Sequence, residues 1–197
     1  MTSSAEFLRW IVGALENAEI PYMIAGSLGS TFYGEYRATN DVDIVIAPTE
    51  QQLARFIESL GEEFYISEAA ARDAFQRRSM FNVIHPETGS KADLVLCKNR
   101  PFSVEEFGRR IRVNLLGSPV HIASAEDIIL SKLEWSRMSG SDRQLRDALG
   151  VAKVCWKELD SDYLRKWAAE LDVSAELESL LKRADPSVAE EPERRGG

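Results

Sequence analysis

The sequence has few cysteines and no long apolar run, which excludes several classes of protein. Only Cys97 and Cys155 are present among 197 residues, so no disulfide framework is available. We therefore expect reduced thiols and a cytoplasmic location. No apolar stretch approaches the roughly 18 residues that a bilayer-crossing helix needs. The first 18 residues lack the basic start and apolar centre of a secretory signal, so we expect no membrane partner.

Positive charge and histidine are also scarce. The 24 Lys and Arg residues are outnumbered by 32 Asp and Glu residues, which gives a formal net charge of −8. A protein that grips a long nucleic acid normally presents a basic face. The composition therefore favours a small or limited anionic partner, with divalent metal offsetting an acidic site. The two histidines, His85 and His121, have no companion ligand at a metal-binding spacing and are interpreted as structural.

The residue pattern is mixed in the first part of the chain and helical after about residue 123. Helices are predicted over residues 4–18, 28–33, 49–60 and 68–76. Strands are predicted over 22–25, 42–46, 63–66, 79–84 and 91–96, followed by a hairpin over 110–122. Four more helices are predicted over 125–138, 142–156, 160–171 and 173–182. We expect an α/β (α+β) fold: a small mixed sheet flanked by helices (1–123), a helical subdomain (124–183) and a flexible tail (184–197).

Three aspartates are the candidates for chemistry. Side chains alternate faces along a strand, so Asp41 and Asp43 point the same way from the strand over 42–46. Neighbouring carboxylates repel each other, and Mg²⁺, which prefers oxygen ligands, removes that cost. The alternative is that Asp41 caps a turn and Asp43 faces water. Asp93 repeats the arrangement on a second strand, either as a third ligand or as an exposed strand-edge acid. Three carboxylates can hold two metal ions roughly 3.5–4 Å apart, as in phosphoryl transfer.

A Gly-Ser pair, Gly26-Ser27, lies between a predicted buried strand and a predicted helix. Glycine lets the backbone approach a ligand closely. The free N–H groups at the start of a helix can bind phosphate. The Ser27 hydroxyl either adds a hydrogen bond to that phosphate or caps the helix.

The helices of the second half contain one lysine in an apolar setting. Lys132 falls near the middle of the apolar stripe of the helix over 125–138, where Trp135 is interpreted as core. An unpaired buried charge is costly. The partner of Lys132 is therefore a nucleotide phosphate or the acidic cluster, unless the lysine snorkels to solvent. Asp147 either pairs with Arg143, four residues before it, or contributes to catalysis.

These motifs occur in an order that resembles a known superfamily. Gly26-Ser27, then Arg37-Ala38-Thr39, then Asp41-Val42-Asp43 and a later Asp93 resemble the motif of the DNA polymerase β-like nucleotidyltransferases. The match of Lys91-x-Asp93 and of residues 125–134 is closer to the AbiEii-type nucleotidyltransferases, toxins of type IV toxin–antitoxin systems. The resemblance spans about residues 22–154 and implies the nucleotidyltransferase fold.

The resemblance also implies an activity and roles for individual residues. It implies transfer of a nucleoside monophosphate from a nucleoside triphosphate (NTP) to a hydroxyl, with two Mg²⁺ ions as cofactor. Asp41 and Asp43 would bind both ions, and Asp93 would bind one and help to activate the acceptor hydroxyl. The nucleotide-binding residues would be Gly26, Ser27, Arg37, Thr39, Lys91 and Lys132. From the residues alone, Arg37 and Thr39 could equally do no more than shape the turn before Asp41.

The acceptor stays open at this point. A tRNA end, a protein side chain and a small molecule such as an antibiotic are all compatible with the sequence, and a toxin would have an antitoxin protein as partner. Two other functions remain: an antibiotic-modifying transferase, and a non-catalytic nucleotide- or partner-binding module on the same fold. The presence of all three aspartates favours an enzyme.

Overall fold

The computed structural model describes residues 4–34 and 41–189. The chain divides into two compact units. The first contains the residues up to Gly29 and those after the undescribed segment up to Ser124. The second contains a short segment that begins at Ser30 and the described residues from Ala125 onward. In the described part of the chain, no helix is both long enough and apolar enough to span a membrane.

The described residues form ten helices and seven strands. The helices are α1 Ser4–Asn17, α2 Gly26–Phe32, α3 Glu50–Ser59, α4 Glu68–Arg77, α5 Pro101–Gly108, α6 Ala125–Ser139, α7 Asp142–Cys155, α8 Ser161–Glu170, α9 Ser174–Ala184 and α10 Pro186–Ala189. The strands are β1 Tyr22–Ile24, β2 Asp41–Ile46, β3 Tyr65–Ile66, β4 Met80–His85, β5 Ser90–Leu96, β6 Ile111–Leu115 and β7 Ser118–Ile122. The α/β class expected from the sequence is confirmed.

All seven strands belong to one mixed sheet in the first unit, in the order β3-β4-β5-β2-β1-β7-β6. Two of the pairings are parallel, β2 with β5 and β1 with β7. The remaining neighbours are antiparallel. Because β5 returns beside β2 only after α3, β3, α4 and β4, residues about fifty positions apart become neighbours at the centre of the sheet.

Local sequence accounts for several element boundaries. Thr49 and Gln52 form a capping box at the start of α3, in which each side chain binds the other residue's backbone N–H. The β6–β7 hairpin turns at Leu116 and Gly117, both with positive φ (52° and 79°), as a two-residue type I′ turn requires. The hairpin is confirmed, with Ser118 already in β7 rather than in the turn.

One helix of the first unit was not predicted. Helix α5 begins at Pro101, a position where proline's missing N–H costs nothing and its fixed φ suits the helix. Its first turn buries Phe102, but it is only eight residues long and has no side-chain cap. The apolar periodicity is therefore too short to identify this helix from the sequence.

The two faces of β2 and β5 differ in character. One face is buried and mostly apolar, and it carries Val42, Ile44, Ile46, Ala92, Leu94 and Leu96. Helix α1 packs against β5 and α3, with the buried side chains of Phe7, Leu8, Ile11 and Leu15. A fully buried apolar side chain contributes roughly 1.5–3 kcal/mol to stability. Because a shift of one residue would turn the apolar side chains of β2 or β5 toward the other face, their burial fixes the register of the two strands. The opposite face is then free to carry polar groups.

The second unit is built from helices. Helix α6 packs against α7 and α8, and α9 packs against α7 and α8. The apolar stripe of α6 is buried at Ile128, Ile129 and Leu133. Trp135 is 58% exposed, so its assignment to the core is wrong. Leu133 and Trp135 are two residues apart, so at 100° per residue they lie about 200° apart, on nearly opposite sides of the helix.

Candidate active site

The β2–β5 ladder brings the three candidate aspartates together on one face of the sheet. Asp41 is in register with Lys91, and Asp43 is in register with Asp93. Residues paired across neighbouring strands point to the same side, so these four side chains share the face opposite the apolar core. The side chain of Asp41 is 56% exposed and that of Asp93 only 15%. The group therefore reaches from solvent into the protein.

The ammonium group of Lys91 lies among these carboxylates. Its Nζ donates a hydrogen bond to Asp93 Oδ2 at 3.1 Å and is 4.0 Å from Asp41 Oδ2. The hydrogen bond to Asp93 raises the pKa of Lys91, and the charges of Asp93, Asp41 and Asp43 raise it further, against a smaller opposing effect of burial. Lys91 is therefore a fixed positive charge at neutral pH.

A fifth polar side chain also contacts Asp93. Asn82 on β4 is in register with Asp93, and its amide donates a hydrogen bond to Asp93 Oδ1. Both carboxylate oxygens of Asp93 therefore have a donor, Lys91 on one and Asn82 on the other. The sequence contained a signal for Asn82. Counting outward from the turn over residues 86–89 places Asn82 opposite Asp93.

Gly26 lies directly against Asp43. Its φ is +58°, and a Cβ atom built on it would be 1.9 Å from Asp43 Oδ2 and 2.6 Å from Asp43 Cγ. The backbone N–H of Ala25 also donates to the carbonyl oxygen of Asp43, at 2.9 Å. Only glycine leaves room for the Asp43 carboxylate at this point. The connection at Gly26, where the sequence predicts a close approach of the backbone to a bound phosphate, therefore lies against Asp43, one of the residues predicted to bind metal.

The short helix after β1 begins two residues earlier than predicted. It starts at Gly26 instead of Leu28, so Ser27 lies in its first turn and is half-buried. Arg37 and Thr39, two of the predicted nucleotide-binding residues, lie outside the described residues.

The donor set of this face fits a hard divalent cation in kind. The carboxylates of Asp41, Asp43 and Asp93 offer the oxygen ligands that Mg²⁺ prefers, and the missing side chain of Gly26 leaves room for the carboxylate of Asp43. Among the residues of 4–34 and 41–189, no group of three or more His, Cys, Asp or Glu side chains is already arranged to hold a metal ion. The cation that this structure places next to Asp93 and Asp41 is Lys91.

Lys132 lies in the second unit and has a partner there. It is 4% exposed, and its Nζ is 2.8 Å from Asp147 Oδ2 and 3.1 Å from Gln144 Oε1. Lys132 on α6 therefore forms an ion pair with Asp147 on α7, and the carboxylate of Asp147 neutralises the buried ammonium group. A contact between Lys132 and a nucleotide stays a prediction.

Comparison with known proteins identifies the fold. No protein-family model matches the sequence, and no curated protein matches it. Among solved structures, an antigenic nucleotidyltransferase-like protein from Paracoccidioides brasiliensis is 18% identical, with a TM-score of 0.56 over 91% of this chain and 92% of that one. The antibiotic-resistance factor ANT(2'')-Ia is 14% identical, with a TM-score of 0.56 over 89% of this chain and 96% of that one. The structure of ANT(2'')-Ia in complex with adenylyl-2''-tobramycin is 14% identical, with a TM-score of 0.55 over 85% of this chain and 96% of that one. At these identities the similarity concerns the architecture, and the chain has the nucleotidyltransferase fold.

Proposed function

We propose that this protein is a metal-dependent nucleotidyltransferase, which transfers a nucleoside monophosphate from an NTP to a hydroxyl group and releases pyrophosphate. One observation carries the proposal. On a nucleotidyltransferase fold, Asp43 and Asp93 are adjacent in register, with Asp41 on the same face and Gly26 against Asp43. Two carboxylates directly opposite each other on neighbouring strands repel each other, and a divalent cation would offset that cost.

Each residue then has a role. Asp41 and Asp43 would hold both Mg²⁺ ions, and Asp93 would hold one of them and orient the acceptor hydroxyl. Bound metal would supply charge neutralisation at the phosphates. Gly26 and Ser27 would contact the triphosphate through the first turn of α2. The remaining candidates for nucleotide contacts are Lys91, Lys132, Arg37 and Thr39.

A cationic small molecule with hydroxyl groups is the acceptor class that we favour. The chain has a net charge of −8, which attracts a cation and repels an extended RNA. The fold is shared with ANT(2'')-Ia, which has been seen with adenylyl-2''-tobramycin. The closer resemblance of Lys91-x-Asp93 to the AbiEii-type toxins would instead imply a tRNA or protein acceptor and an antitoxin partner.

A non-catalytic nucleotide- or partner-binding module is the second candidate. The contacts of Lys91 with Asp93 and Asp41 favour it, because an internal ammonium group already offsets part of the charge that a metal would neutralise. The presence of all three aspartates favours the enzyme.

The test begins with titration calorimetry of each of the four NTPs in Mg²⁺. Wild type, Asp43→Asn and the Asp41→Asn/Asp43→Asn double variant are compared, with Asp73→Asn on the exposed surface of α4 as control. We expect metal-dependent binding in wild type and in the control, and its loss in the other two. Melting temperatures in metal-free buffer should stay within a few degrees of one another, because asparagine keeps the shape of aspartate and relieves repulsion.

A second experiment identifies the acceptor, with the NTP that binds used as the labelled donor. Wild type is incubated with the α-³²P-labelled nucleotide and either tobramycin, a total tRNA preparation or no acceptor, and the label is followed. Labelled tobramycin would support the small-molecule class, and labelled tRNA or self-labelling would support a toxin-like activity. No binding of any NTP by folded wild type would instead favour a non-catalytic partner-binding module.

A further inference from the structure

The charge pattern of the β2–β5 ladder is asymmetric. At one step of the ladder Asp41 is opposite a lysine, and at the next Asp43 is opposite a second aspartate. Cross-strand pairs of opposite charge are stabilising, and like charges directly opposite each other are destabilising. Lys91 reaches diagonally from its own step to Asp93 Oδ2, where it offsets part of the repulsion at the next step.

The ammonium group of Lys91 and a metal ion would compete for the same oxygens. Mg²⁺ binds its oxygen ligands at about 2.0–2.1 Å in a nearly octahedral arrangement. Lys91 Nζ is 3.1 Å from Asp93 Oδ2 and 4.0 Å from Asp41 Oδ2. A divalent ion bound to both of those oxygens would lie in the space next to the ammonium group, and two cations at that separation repel each other strongly.

We propose that Lys91 is the internal counter-ion of the carboxylate site: it holds Asp93 and Asp41 in place in the metal-free protein and has to leave their oxygens when a divalent cation binds. This proposal depends on the proposed function in one respect: the nucleotidyltransferase activity is the reason to expect that the cation is a divalent metal ion. Asn82 holds the other oxygen of Asp93 throughout, so the carboxylate keeps its orientation when Lys91 departs. The long side chain of Lys91 is 32% exposed and can turn toward solvent or toward an anionic group of the nucleotide.

This role makes Lys91 a positioning residue, and its removal is expected to raise the affinity of the site for metal. A phosphate ligand or an ordinary structural lysine would leave the affinity for metal alone unchanged or lower it. A competing counter-ion, once removed, raises that affinity. A partly exposed ion pair is worth up to about 1 kcal/mol, which corresponds to about fivefold in a dissociation constant.

The experiment measures binding of Mn²⁺ alone, without nucleotide, from the electron paramagnetic resonance signal of the free ion. Wild type, Lys91→Met and Lys91→Arg are compared, with Lys98→Met as a control at an exposed lysine on the segment after β5. We expect about fivefold tighter Mn²⁺ binding for Lys91→Met and unchanged binding for Lys98→Met and Lys91→Arg. If Lys91→Met does not fold, as judged by circular dichroism, Lys91→Gln carries the same expectation while keeping a donor for Asp93.

The outcomes separate this inference from the proposed function. Unchanged or weaker Mn²⁺ binding in a folded Lys91→Met protein would overturn the counter-ion role, even if wild type binds Mg²⁺ and an NTP normally. Tighter Mn²⁺ binding in Lys91→Met, with no NTP bound by any variant, would support the counter-ion role while the nucleotidyltransferase activity fails. Tighter Mn²⁺ binding together with metal-dependent NTP binding by wild type would support both.

Discussion

Replacing Gly26 with alanine is the most direct perturbation of the candidate site, because it changes one backbone position and no charge. The added Cβ would be 1.9 Å from Asp43 Oδ2, 2.6 Å from its Cγ and 2.8 Å from its Cβ. Atoms cannot approach that closely, so the Asp43 carboxylate or the start of α2 has to move. We expect Gly26→Ala to lose metal-dependent NTP binding as completely as Asp43→Asn does.

The cost in stability has two parts that a matched variant separates. An alanine held at positive φ costs about 1–2 kcal/mol, which for a chain of this size lowers the melting temperature by roughly 2–8 °C. Gly89 has a similar φ of +69°, and a Cβ there would meet nothing within 4 Å. Gly89→Ala therefore carries the backbone cost alone, and any additional loss in Gly26→Ala measures the collision with Asp43.

Thermal melts in metal-free buffer and NTP titration in Mg²⁺ are the assays. The Gly26→Ala/Asp43→Ala double variant should recover part of the lost stability, because the two closest atoms of Asp43 are gone. The reasoning is refuted if Gly26→Ala binds the NTP as wild type does, or if it melts no lower than Gly89→Ala.

Two further predictions concern buried ionisable groups of the helical second unit. Asp147→Ala leaves the Lys132 ammonium buried without its ion-pair partner, so we expect a loss of roughly 3–5 kcal/mol in urea unfolding; a loss below 1 kcal/mol would contradict it, and Lys132→Met/Asp147→Leu should recover most of the stability. Burial raises the pKa of Cys155 from 9.0 to about 11, with smaller contributions from Glu158 and Glu126. The folded state thus retains that proton longer than the unfolded state, so the urea midpoint should fall as the pH rises from about 9 to about 11, and less steeply in Cys155→Ala; an identical slope in both proteins would exclude the thiol as the cause.

The sequence predicted the sheet well where strands alternate in polarity and are bounded by recognisable turns. The predictions of strand β2 and of the β4–β5 hairpin are confirmed. Apolar residues recur at period two in all three strands, and a polar turn separates β4 from β5. The two-residue strand β3 lies within the predicted segment over residues 63–66 but is shorter. Helix α5 was missed because eight residues with an uncapped start give too few periodic positions to count.

The site was less predictable, because its neighbours are far apart in the sequence. Local patterns placed Asp41 and Asp43 on one face of a strand, but they could not show which strand lies beside it. The contacts of Lys91 with Asp93 and Asp41 depend on the parallel β2–β5 register. The pairing of Lys132 with Asp147 similarly depends on the packing of α6 against α7, whereas spacing within one helix pointed to Arg143.

The charge pattern of the β2–β5 ladder favours the proposal that this face is a functional site and not simply a polar surface. A sheet that had only to be soluble could alternate acidic and basic residues across β2 and β5, as it does at the step from Asp41 to Lys91. At the step from Asp43 to Asp93 it places two carboxylates opposite each other instead, and Gly26 leaves room for the carboxylate of Asp43. Under the proposed function, a bound cation would recover the stability lost by that arrangement. Proteins commonly break such local rules at functional sites, and here the rule is broken next to the only lysine of β5, which offsets part of the repulsion in this structure and would give way to the proposed cation.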